Sequence, residues 1–510
     1  MSRPFHPTHL TPPLAAAAGW LCWLLILLGV FLKALSPDTP TSATTLTGVA
    51  SLGVLGVWRY GWAMTHFVRA LAYRLWVWPR LRRQAEAVSR TTPAPPLAVV
   101  VTAYQMPETV LVSAFCALVT AAADFPTPVT LVMALTSADE QERLGVLFHR
   151  LGAPAHVRLI LMVQSGHGKR AALVQALRQV QAVPEIREGL VALMDGDTLL
   201  RPETLCGLRG VFESQPRLGA VTVHNASWSD GGPLIRAWHG LRMAQRHIMM
   251  QSQALSRRVL VLTGRFSVFR GGIATDPAFI ARIAHDSLDH WRYGPVPFLT
   301  GDDKSTWFHV LQDGWEMRYL PDVVVDCLEP VVSPWLIPHS LPLLRRWSGN
   351  MLRNAGRARR LGPRRMPLFT WWSLVDQGLS MWTALLAPTG ALLLAWTHSV
   401  AWLWLYALWV VVTRTVYAAL IACGTGGRLS PWWPFLLFYN QITGALVKIH
   451  LLFRLPQQGW TRQRLHLPPP GNAAVLARQY RLALLFEGVA WLVFGWLSLL
   501  LAGLAPMPFT

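Results

Sequence analysis

The chain has 510 residues, of which 52% are hydrophobic and only 14% are charged. A typical soluble domain carries about 25% charged residues, so the composition excludes a disordered protein and an ordinary soluble enzyme. The 46 basic and 26 acidic residues give a net charge of +20, which suits nucleic acid, a membrane surface or an anionic molecule or polymer as partner. The five cysteines lie far apart, which argues against a zinc site and a disulfide scaffold.

Two apolar segments near the start predict membrane-spanning helices. Residues Leu14–Leu32 carry no charge. This uncharged segment is long enough to cross a bilayer and too long for a signal peptide. A second predicted span covers 46–68 and is interrupted by Arg59. Arginines follow it from Arg69 to Arg90, so the positive-inside rule places that side of the membrane in the cytoplasm.

The apolar character returns after a polar region that extends from 91 to 365. Spans are predicted at 374–397, 400–423 and 483–505 because these segments are long and nearly uncharged. The stretch 432–453 is more polar, and five arginines follow it, so we expect an interfacial helix on the inner leaflet. This gives five spans, with six as the alternative.

Two arginines fall within predicted spans, Arg59 and Arg414. A long cationic side chain can reach the interface while its stem stays in the bilayer. Charge inside a membrane is costly, so the pair could instead line a wet path for an anion, as part of a channel.

The polar region alternates short β-branched runs with helical patterns, which predicts an α/β domain. Four runs read as buried strands: Leu97–Ala103, Val129–Leu135, Arg158–Val163 and Gly189–Met194. Polar residues follow each run. Because ligands bind at the carboxyl edge of an open α/β sheet, we expect these polar residues to form one site.

Three motifs could bind a nucleotide diphosphate, two of them at that edge and one just before the membrane segments return. Asp195–Gly–Asp197 follows the fourth strand, and its two carboxylates suit Mg²⁺ or Mn²⁺, with phosphates completing the shell. Gly166–His–Gly–Lys169–Arg170 lacks the spacing of a P-loop, but Lys169 can offer a charge to phosphate; the alternative is a plain basic turn. Arg345–Arg346–Trp347 suits a diphosphate beside a sugar ring, or is simply a juxtamembrane basic cluster.

Thr300–Gly–Asp302–Asp303–Lys304 opens a helical run. Aspartates at a helix start are often only caps. One of them could instead be the general base that removes a proton from an acceptor hydroxyl, and two adjacent carboxylates would help to keep one basic by mutual repulsion.

These motifs, in this order and flanked by spans, resemble the processive family-2 glycosyltransferases, the membrane synthases of cellulose, chitin and hyaluronan. The likeness is closest to the bacterial mannuronan synthases, the alginate polymerases, and extends from about residue 19 to 463. It is carried by short strings such as Trp238–His239, Ala244–Gln–Arg–His–Ile248, Leu262–Thr–Gly–Arg265, Phe298–Leu–Thr–Gly–Asp–Asp–Lys–Ser305 and Tyr439–Asn–Gln–Ile442.

The resemblance implies roles for individual residues. The carboxylates of the first motif would bind the metal and the diphosphate, Asp303 would be the catalytic base supported by Asp302, and Trp347 would stack against the acceptor sugar. Donor contacts would come from several residues: Thr102, Tyr104, Asp139, Lys169 and Arg346. The late motif of these enzymes is normally Q-x-x-R-W, but leucines stand at the glutamine positions here, Leu343 and Leu344. Mannuronan synthases share this change.

The predicted fold is a GT-A-like cytoplasmic glycosyltransferase domain combined with an α-helical transmembrane domain. We expect two N-terminal spans in 1–70, the catalytic domain in 71–365, and spans plus interfacial helices in 366–510, with a gating-type loop near 454–480. The resemblance implies a multi-pass protein of the bacterial inner membrane whose catalytic domain is cytoplasmic.

The resemblance also implies the reaction and the partners. The enzyme would add mannuronate from GDP-mannuronic acid to a growing β-1,4-polymannuronate chain, with inversion, and pass the chain across the membrane. Its partners would be the lipid bilayer and a PilZ-domain co-polymerase that binds cyclic di-GMP, with no nucleic acid. Two alternatives remain open: a UDP-sugar-dependent synthase of the hyaluronan or chitin type, and a non-catalytic channel or scaffold subunit.

Overall fold

The structure, a computed structural model, describes residues 13–34, 43–164, 168–427, 429–459 and 473–505. Its strands are β1 Leu97–Thr102, β2 Val129–Leu135, β3 Val157–Val163, β4 Leu190–Asp195, β5 Thr198–Leu200, β6 Leu218–Trp228, β7 Phe266–Arg270, β8 Ser287–His290, β9 Gly294–Pro297 and β10 Glu316–Leu328. Its α-helices are α1 Pro13–Ala34, α2 Ala43–Ala72, α3 Trp78–Thr91, α4 Glu108–Ala123, α5 Ala138–Arg150, α6 Lys169–Gln181, α7 Pro233–Ala254, α8 Gly271–Ala274, α9 Pro277–Ala284, α10 Asp302–Gln312, α11 Leu336–Arg360, α12 Leu368–Thr397, α13 Ala401–Thr425, α14 Trp433–Leu452 and α15 Ala473–Leu501.

Eight strands form one mixed sheet in the order β3-β2-β1-β4-β7-β6-β10-β5. The first four are mutually parallel, whereas β7 runs antiparallel to both of its neighbours. β6 and β10 are parallel, and β5 closes the edge antiparallel to β10. The four strands predicted from the sequence correspond to β1–β4 with ends within one residue, so the α/β prediction is confirmed.

The central strands are apolar along their whole length because both faces of the sheet are covered. β1, β2 and β4 are buried at nearly every position, as expected for parallel strands between helical layers. Helix α6 packs against β1 and β2, and α4 packs against β5 and β3. α5 begins at Ser137, whose hydroxyl accepts a hydrogen bond from the Glu140 amide at 3.2 Å and so satisfies one free N–H of the first turn.

Among the described residues, four helices are long and apolar enough to cross a membrane: α12, α13, α14 and the Ala474–Leu501 part of α15. The three C-terminal spans predicted at 374–397, 400–423 and 483–505 fall on α12, α13 and α15. The two N-terminal spans fall on α1 and α2. The apolar part of α1, Gly19–Lys33, is shorter than the other four, and both N-terminal spans stay predictions.

Helix α14 lies alongside α11 and runs in the same direction. The Ser340 and Tyr439 hydroxyls are 2.6 Å apart, and one amino group of Arg353 donates to the Leu455 carbonyl at 3.0 Å just beyond the end of α14. The length and hydropathy of α14 suit a span, whereas its contact with the amphipathic α11 favours the interfacial helix predicted for 432–453. Its placement in the membrane stays a prediction.

A π-helical turn, Tyr73–Val77, joins α2 to α3 and fastens both to the sheet. The buried Tyr73 hydroxyl donates to the Tyr319 carbonyl of β10 at 2.8 Å. Arg82 on α3 binds both oxygens of Asp322 at 2.7 and 2.8 Å. The N-terminal helices are therefore tied directly to the strand that follows α10.

Two buried histidines share the Tyr319 hydroxyl at this junction. His247 Nδ1 lies 2.7 Å and His224 Nδ1 3.0 Å from that oxygen. Burial lowers the pKa of His224 to about 4, with Arg201 and Arg246 adding to the effect. Burial, together with His224 and Arg74, lowers the pKa of His247 to about 3.

We expect the folded state to lose stability as the pH falls. Both histidines ionise more readily in the unfolded chain, near pH 6.5, so their stabilisation is complete above that pH and is lost progressively as the pH falls towards 4 and 3. Thermal unfolding of the detergent-solubilised chain between pH 7.5 and 4 measures the effect. His247→Gln should flatten this dependence, and the exposed His149→Gln should not. An equally steep acid dependence in both variants would contradict the assignment.

Candidate active site

The ends of β1 and β4 meet at the carboxyl edge of the sheet. Thr102 and Asp195 are register partners in these parallel strands, and the amide of Gly196 donates to the Thr102 carbonyl at 3.0 Å. A Cβ on Gly196 would lie 3.0 Å from Ala103 Cβ and 3.0 Å from Met106 Sδ. The glycine between Asp195 and Asp197 is therefore required by close packing against the loop after β1.

The Lys169 ammonium bridges two of the predicted motifs. Its Nζ lies 2.6 Å from Asp195 Oδ1 and 2.8 Å from Asp302 Oδ2. The Lys169 side chain is only 16% exposed and that of Asp302 only 8%. A Cβ on Gly264 would come within 3.2 Å of Lys169 Nζ, so the backbone before Arg265 closes over the ion pair.

Asp302 and Asp303 differ in their electrostatic surroundings. Burial alone would raise the pKa of Asp302, but Lys169 and Arg170 hold it below its usual value. Burial and the neighbouring Asp302 charge raise the pKa of Asp303, against Lys304 and other nearby cations. Two adjacent carboxyl groups with pKa values driven apart are typical of an acid–base site. Asp302 is thus the more acidic member of the pair, and Asp303 is the more basic one.

These groups surround a small cavity at the sheet edge. Its walls carry both aspartates of α10 with Lys169 and Asp195, and apolar strand residues form its floor. The lining residues are Thr102, Lys169, Leu173, Leu193, Met194, Asp195, Leu262, Thr263, Gly264, Ser267, Phe269, Asp302, Asp303 and Thr306.

The turn before α10 is held rigidly by α11. Gly301 has a φ of +85°, a conformation that favours glycine, and a Cβ there would lie 2.9 Å from the Asn350 side chain. Asn350 Oδ1 accepts from the Thr300 hydroxyl at 2.6 Å and from Arg353 at 2.6 Å. The orientation of the two carboxylates therefore depends on side chains of α11.

The segment after α14 is attached to the same turn. Gln458 Oε1 accepts from the amides of Leu299 and Thr300 at 3.1 and 3.4 Å, and Gln458 Nε2 donates to the Pro297 carbonyl at 2.7 Å. The gating-type loop predicted near 454–480 begins here, but residues 460–472 lie outside the described residues. Residues 165–167 of the predicted basic turn also lie outside them.

The late motif lies on α11. The Arg346 guanidinium is within electrostatic reach of Asp195 and Asp197, and burial lowers its pKa while those carboxylates oppose the shift. Trp347 is half-buried and stacks on Trp238 with 6.0 Å between ring centroids. The leucines at the glutamine positions, Leu343 and Leu344, are buried in an apolar cluster that Trp238 shares. These two leucines therefore pack against other apolar side chains and do not line the cavity.

The residues at the end of β4 fit a divalent cation that also binds a diphosphate. Asp195 and Asp197 supply hard oxygen donors, and the Asp195 side chain is 29% exposed. Among the described residues, no group of three or more histidine, cysteine or acidic side chains could hold a metal. A cation here would therefore need phosphate or water oxygens to complete its shell, as Mg²⁺ sites on nucleotides commonly do.

Of the predicted donor contacts, Thr102 and Lys169 line the cavity, whereas Tyr104, Asp139 and Arg346 do not. Tyr104 follows β1 and is half-buried. Asp139 is exposed in the first turn of α5. The carboxylate that contacts the end of β2 is that of Glu140, which accepts a hydrogen bond from the Thr136 amide at 2.7 Å. The roles given to Tyr104 and Asp139 stay predictions.

The two intramembrane arginines have polar partners in the helices. Arg59 forms an ion pair with Asp376 of α12. Arg414 donates to the Tyr60 hydroxyl at 3.0 Å and also binds Gln441. The charge of Arg59 is thus balanced by Asp376, whereas Arg414 has hydrogen-bond partners but no carboxylate partner among the described residues. Their predicted place along a channel stays a prediction.

Several charged residues near the cavity were given no role from the sequence. Arg265 forms a buried ion pair with Glu329 just after β10. Arg242 and Arg246 lie on α7; Arg242 lies over the Trp347 ring, and Arg246 is within electrostatic reach of Asp303. The spacing of Trp238, Arg242 and Arg246 places them on one helical face, and that pattern was the signal that could have identified them.

Comparison with known proteins gives concordant matches. A family model described as "Glycosyltransferase like family 2" matches residues 94–350. The chain is 36% identical over 450 residues to "Glycosyltransferase alg8" of Pseudomonas syringae pv. tomato, covering 88% of this chain and 91% of the relative. It is also 36% identical over 460 residues to the protein of the same name from Azotobacter vinelandii, with the same coverage.

A solved structure is similar over most of its own length. It is the mannosyltransferase PcManGT from Pyrobaculum calidifontis in complex with GDP-Man and Mn²⁺, with 17% identity and a TM-score of 0.46. The match covers 78% of this chain and 97% of that protein.

Proposed function

Because this chain belongs to glycosyltransferase family 2, with a GT-A-like fold and alginate-related relatives of the mannuronan synthase type, we propose that it polymerises mannuronate from GDP-mannuronic acid. The product would be β-1,4-polymannuronate, passed across the bacterial inner membrane. The observation that carries the catalytic part is the pair at the start of α10. Lys169 holds Asp302 ionised, while burial and that charge make Asp303 the stronger base.

The proposed reaction is a single displacement with inversion. Asp303 takes the proton of the acceptor hydroxyl as that oxygen forms a bond to the anomeric carbon of the donor. The bond from this carbon to the diphosphate breaks, and GDP leaves with the electron pair. Arg346, near Asp195 and Asp197, would stabilise the charge that develops on the diphosphate.

Other residues would bind and orient the substrates. Asp195 and Asp197 would hold Mg²⁺ or Mn²⁺, which when bound would supply positive charge next to the leaving diphosphate. Lys169 keeps both carboxylate motifs in position through its two ion pairs. Trp347 offers a ring surface to the acceptor sugar, and Thr102 and Tyr104 lie at the strand ends beside the donor. Asp139 is proposed only as a peripheral donor contact.

The proposed domain organisation is the one predicted from the sequence. Residues 1–70 and 366–510 would anchor the chain as a multi-pass inner-membrane protein, and 71–365 would form the cytoplasmic catalytic domain. We further propose that a PilZ-domain co-polymerase that binds cyclic di-GMP activates the enzyme. The lipid bilayer and the growing chain complete the set of partners.

Donor specificity tests the proposal directly. Membranes containing the chain, with and without the co-polymerase and cyclic di-GMP, receive Mg²⁺ and one of four donor sets. These are GDP-mannuronate, GDP-mannose, UDP-glucuronate with UDP-N-acetylglucosamine, and UDP-N-acetylglucosamine alone. Released nucleotide and lyase-sensitive polymer are measured.

We expect polymer from GDP-mannuronate alone, and only when the co-polymerase and cyclic di-GMP are present. Polymer only from UDP-sugars would overturn the donor while leaving the displacement intact. Full activity without a partner would remove the co-polymerase from the proposal. No turnover of any donor in the complete system would favour the scaffold alternative.

A further inference from the structure

Helix α7 presents three large side chains at intervals of four residues: Trp238, Arg242 and Arg246. Four residues advance a helix by about 6 Å, so they follow one another along a single face. Trp238 is fully buried, and its Nε1 donates to Asn440 of α14 at 2.9 Å. The two arginines are half-buried, with Glu329 an electrostatic neighbour of Arg242 and Asp303 one of Arg246.

Neither arginine has a carboxylate partner in the part of the chain that the structure describes. Arg242 lies against aromatic rings, 4.3 Å from the centroid of Trp347 and 5.2 Å from that of Trp238. Arg246 forms no hydrogen bond or ion pair with a described residue, although Arg265 and Asp303 are its electrostatic neighbours. By contrast, the buried Arg357 forms a direct ion pair with Asp286, and the buried Arg353 donates hydrogen bonds to neutral oxygens.

Lys448, on α14, is a third cation without a carboxylate partner among the described residues. It too forms no ion pair or hydrogen bond with a described residue, and its nearest charged neighbours are Arg242, Arg59 and Asp376. Asp376 is already paired with Arg59. Three cations thus extend from the proposed base, past Trp347, to the membrane helices. We call Arg246, Arg242 and Lys448 the cationic row.

Grouping unpaired cations in a partly buried region is unfavourable unless an anion joins them. Each loses hydration on burial and repels its neighbours. Burial lowers the pKa of Arg242 to about 10, and Arg246 adds to that effect against Glu329. A bound carboxylate would reverse both penalties, and a guanidinium can bind it through two parallel hydrogen bonds.

We propose that the cationic row binds the carboxylates of a uronate polymer as the chain leaves the acceptor site. This inference rests on the proposed function for the acidic nature of the product. The row starts beside Asp303, where a new sugar joins, and passes Trp347, where the acceptor ring would stack. The step of about 6 Å between Arg246 and Arg242 is similar to the length of one sugar unit, so neighbouring units would meet neighbouring cations.

The donor diphosphate is not the anion that the row would bind. The cations near Asp195 and Asp197 are Lys169, Arg265 and Arg346. The charged groups that most affect Arg246 include Arg265 and Asp303, and those that most affect Lys448 are Arg242 of α7, Arg59 of α2 and Asp376 of α12. The row therefore follows the path of the acceptor rather than that of the nucleotide.

Oligosaccharide binding tests the row without turnover. The full-length chain, in nanodiscs of neutral lipid, is titrated with hexamannuronate and with uncharged mannohexaose. We expect the wild-type chain to bind hexamannuronate at least about tenfold more tightly, which corresponds to about 1.4 kcal/mol. Arg242→Gln and Lys448→Gln should each lower that affinity by about tenfold and leave mannohexaose binding unchanged.

Controls separate charge recognition from folding. Arg178→Gln removes an exposed arginine of α6 and should have no effect on either ligand, whereas Arg242→Lys should retain part of the hexamannuronate affinity. Added salt should weaken hexamannuronate binding to the wild-type chain and spare mannohexaose, a result that needs no variant to fold. Equal affinity of the wild-type chain for both ligands, or unchanged hexamannuronate binding in both glutamine variants, would overturn the inference. Tight hexamannuronate binding without turnover of GDP-mannuronate would support the row and contradict the proposed function instead.

Discussion

Replacing Asp303 with asparagine should lower both nucleotide release and polymer synthesis by about 10²–10⁴-fold, the usual contribution of a general base. Asparagine has nearly the same shape but cannot accept the proton of the acceptor hydroxyl. It also removes the repulsion between Asp303 and Asp302, whose charges act on each other in a buried site. The variant should therefore unfold at the same temperature as the wild-type chain or at a higher one.

The combination of lost activity and kept stability separates a catalytic carboxylate from a structural cap. Asp313→Asn, at the other end of α10 and largely exposed, is the matched control and should retain activity. Normal polymer output from Asp303→Asn would revive the scaffold alternative. A marked loss of thermal stability would indicate that Asp303 acts as a helix cap.

Replacing Lys169 with methionine should abolish turnover and also destabilise the site. The ammonium is the shared partner of Asp195 and Asp302. Removing one member of a buried ion pair typically costs about 3–5 kcal/mol because the remaining charge is left uncompensated. Asp302 would then lose the cation that keeps its pKa low and would compete with Asp303 for the proton. Thermal unfolding and nucleotide release measure the two effects.

The double variant Lys169→Met with Asp302→Asn isolates the loss of stability that is due to the unpaired charge of Asp302. It no longer leaves Asp302 as an unpaired buried charge, so it should recover part of the lost thermal stability without recovering turnover. Arg178→Met changes an exposed cation of the same helix and should alter neither property. Equal stability of the Lys169→Met variant and the wild-type chain would show that the ion pairs do not hold the site together.

The local motifs of the site were predictable, whereas its long-range pairings were not. The β-branched runs of β1–β4 and the acidic turn before α10 follow from periodicity and composition. That Lys169 lies between Asp195 and Asp302 depends on where the first residues of α6 and α10 lie relative to the end of β4, which no local pattern encodes. For the same reason Arg59 stood out as a buried charge, but its partner Asp376 did not.

Sequence interpretation was weakest where a helix combines packing with binding. α7 mixes apolar and cationic residues, so its pattern identifies a helix without showing which face meets Trp347. The leucines before Arg346 depart from the glutamine of the usual binding motif, and the structure shows that they belong to an apolar cluster. Asp139 stood at the correct strand end, but its side chain faces solvent. Each outcome depends on how elements pack, which is set by contacts distant in the chain.

The attachment of Gln458 and Arg353 to the turn before α10 has a thermodynamic consequence. Four hydrogen bonds join the segment 455–458 to this turn or to the helix that holds it. Each typically contributes about 0.5–1.5 kcal/mol. Detaching the segment would loosen the turn that orients Asp303, so the conformations of the two are coupled. Reciprocity then requires that a ligand at the reaction centre strengthens the attachment of the segment by the same factor as the attachment strengthens binding of that ligand. Ligand binding at the reaction centre would thus stabilise the attached conformation of the segment 455–458.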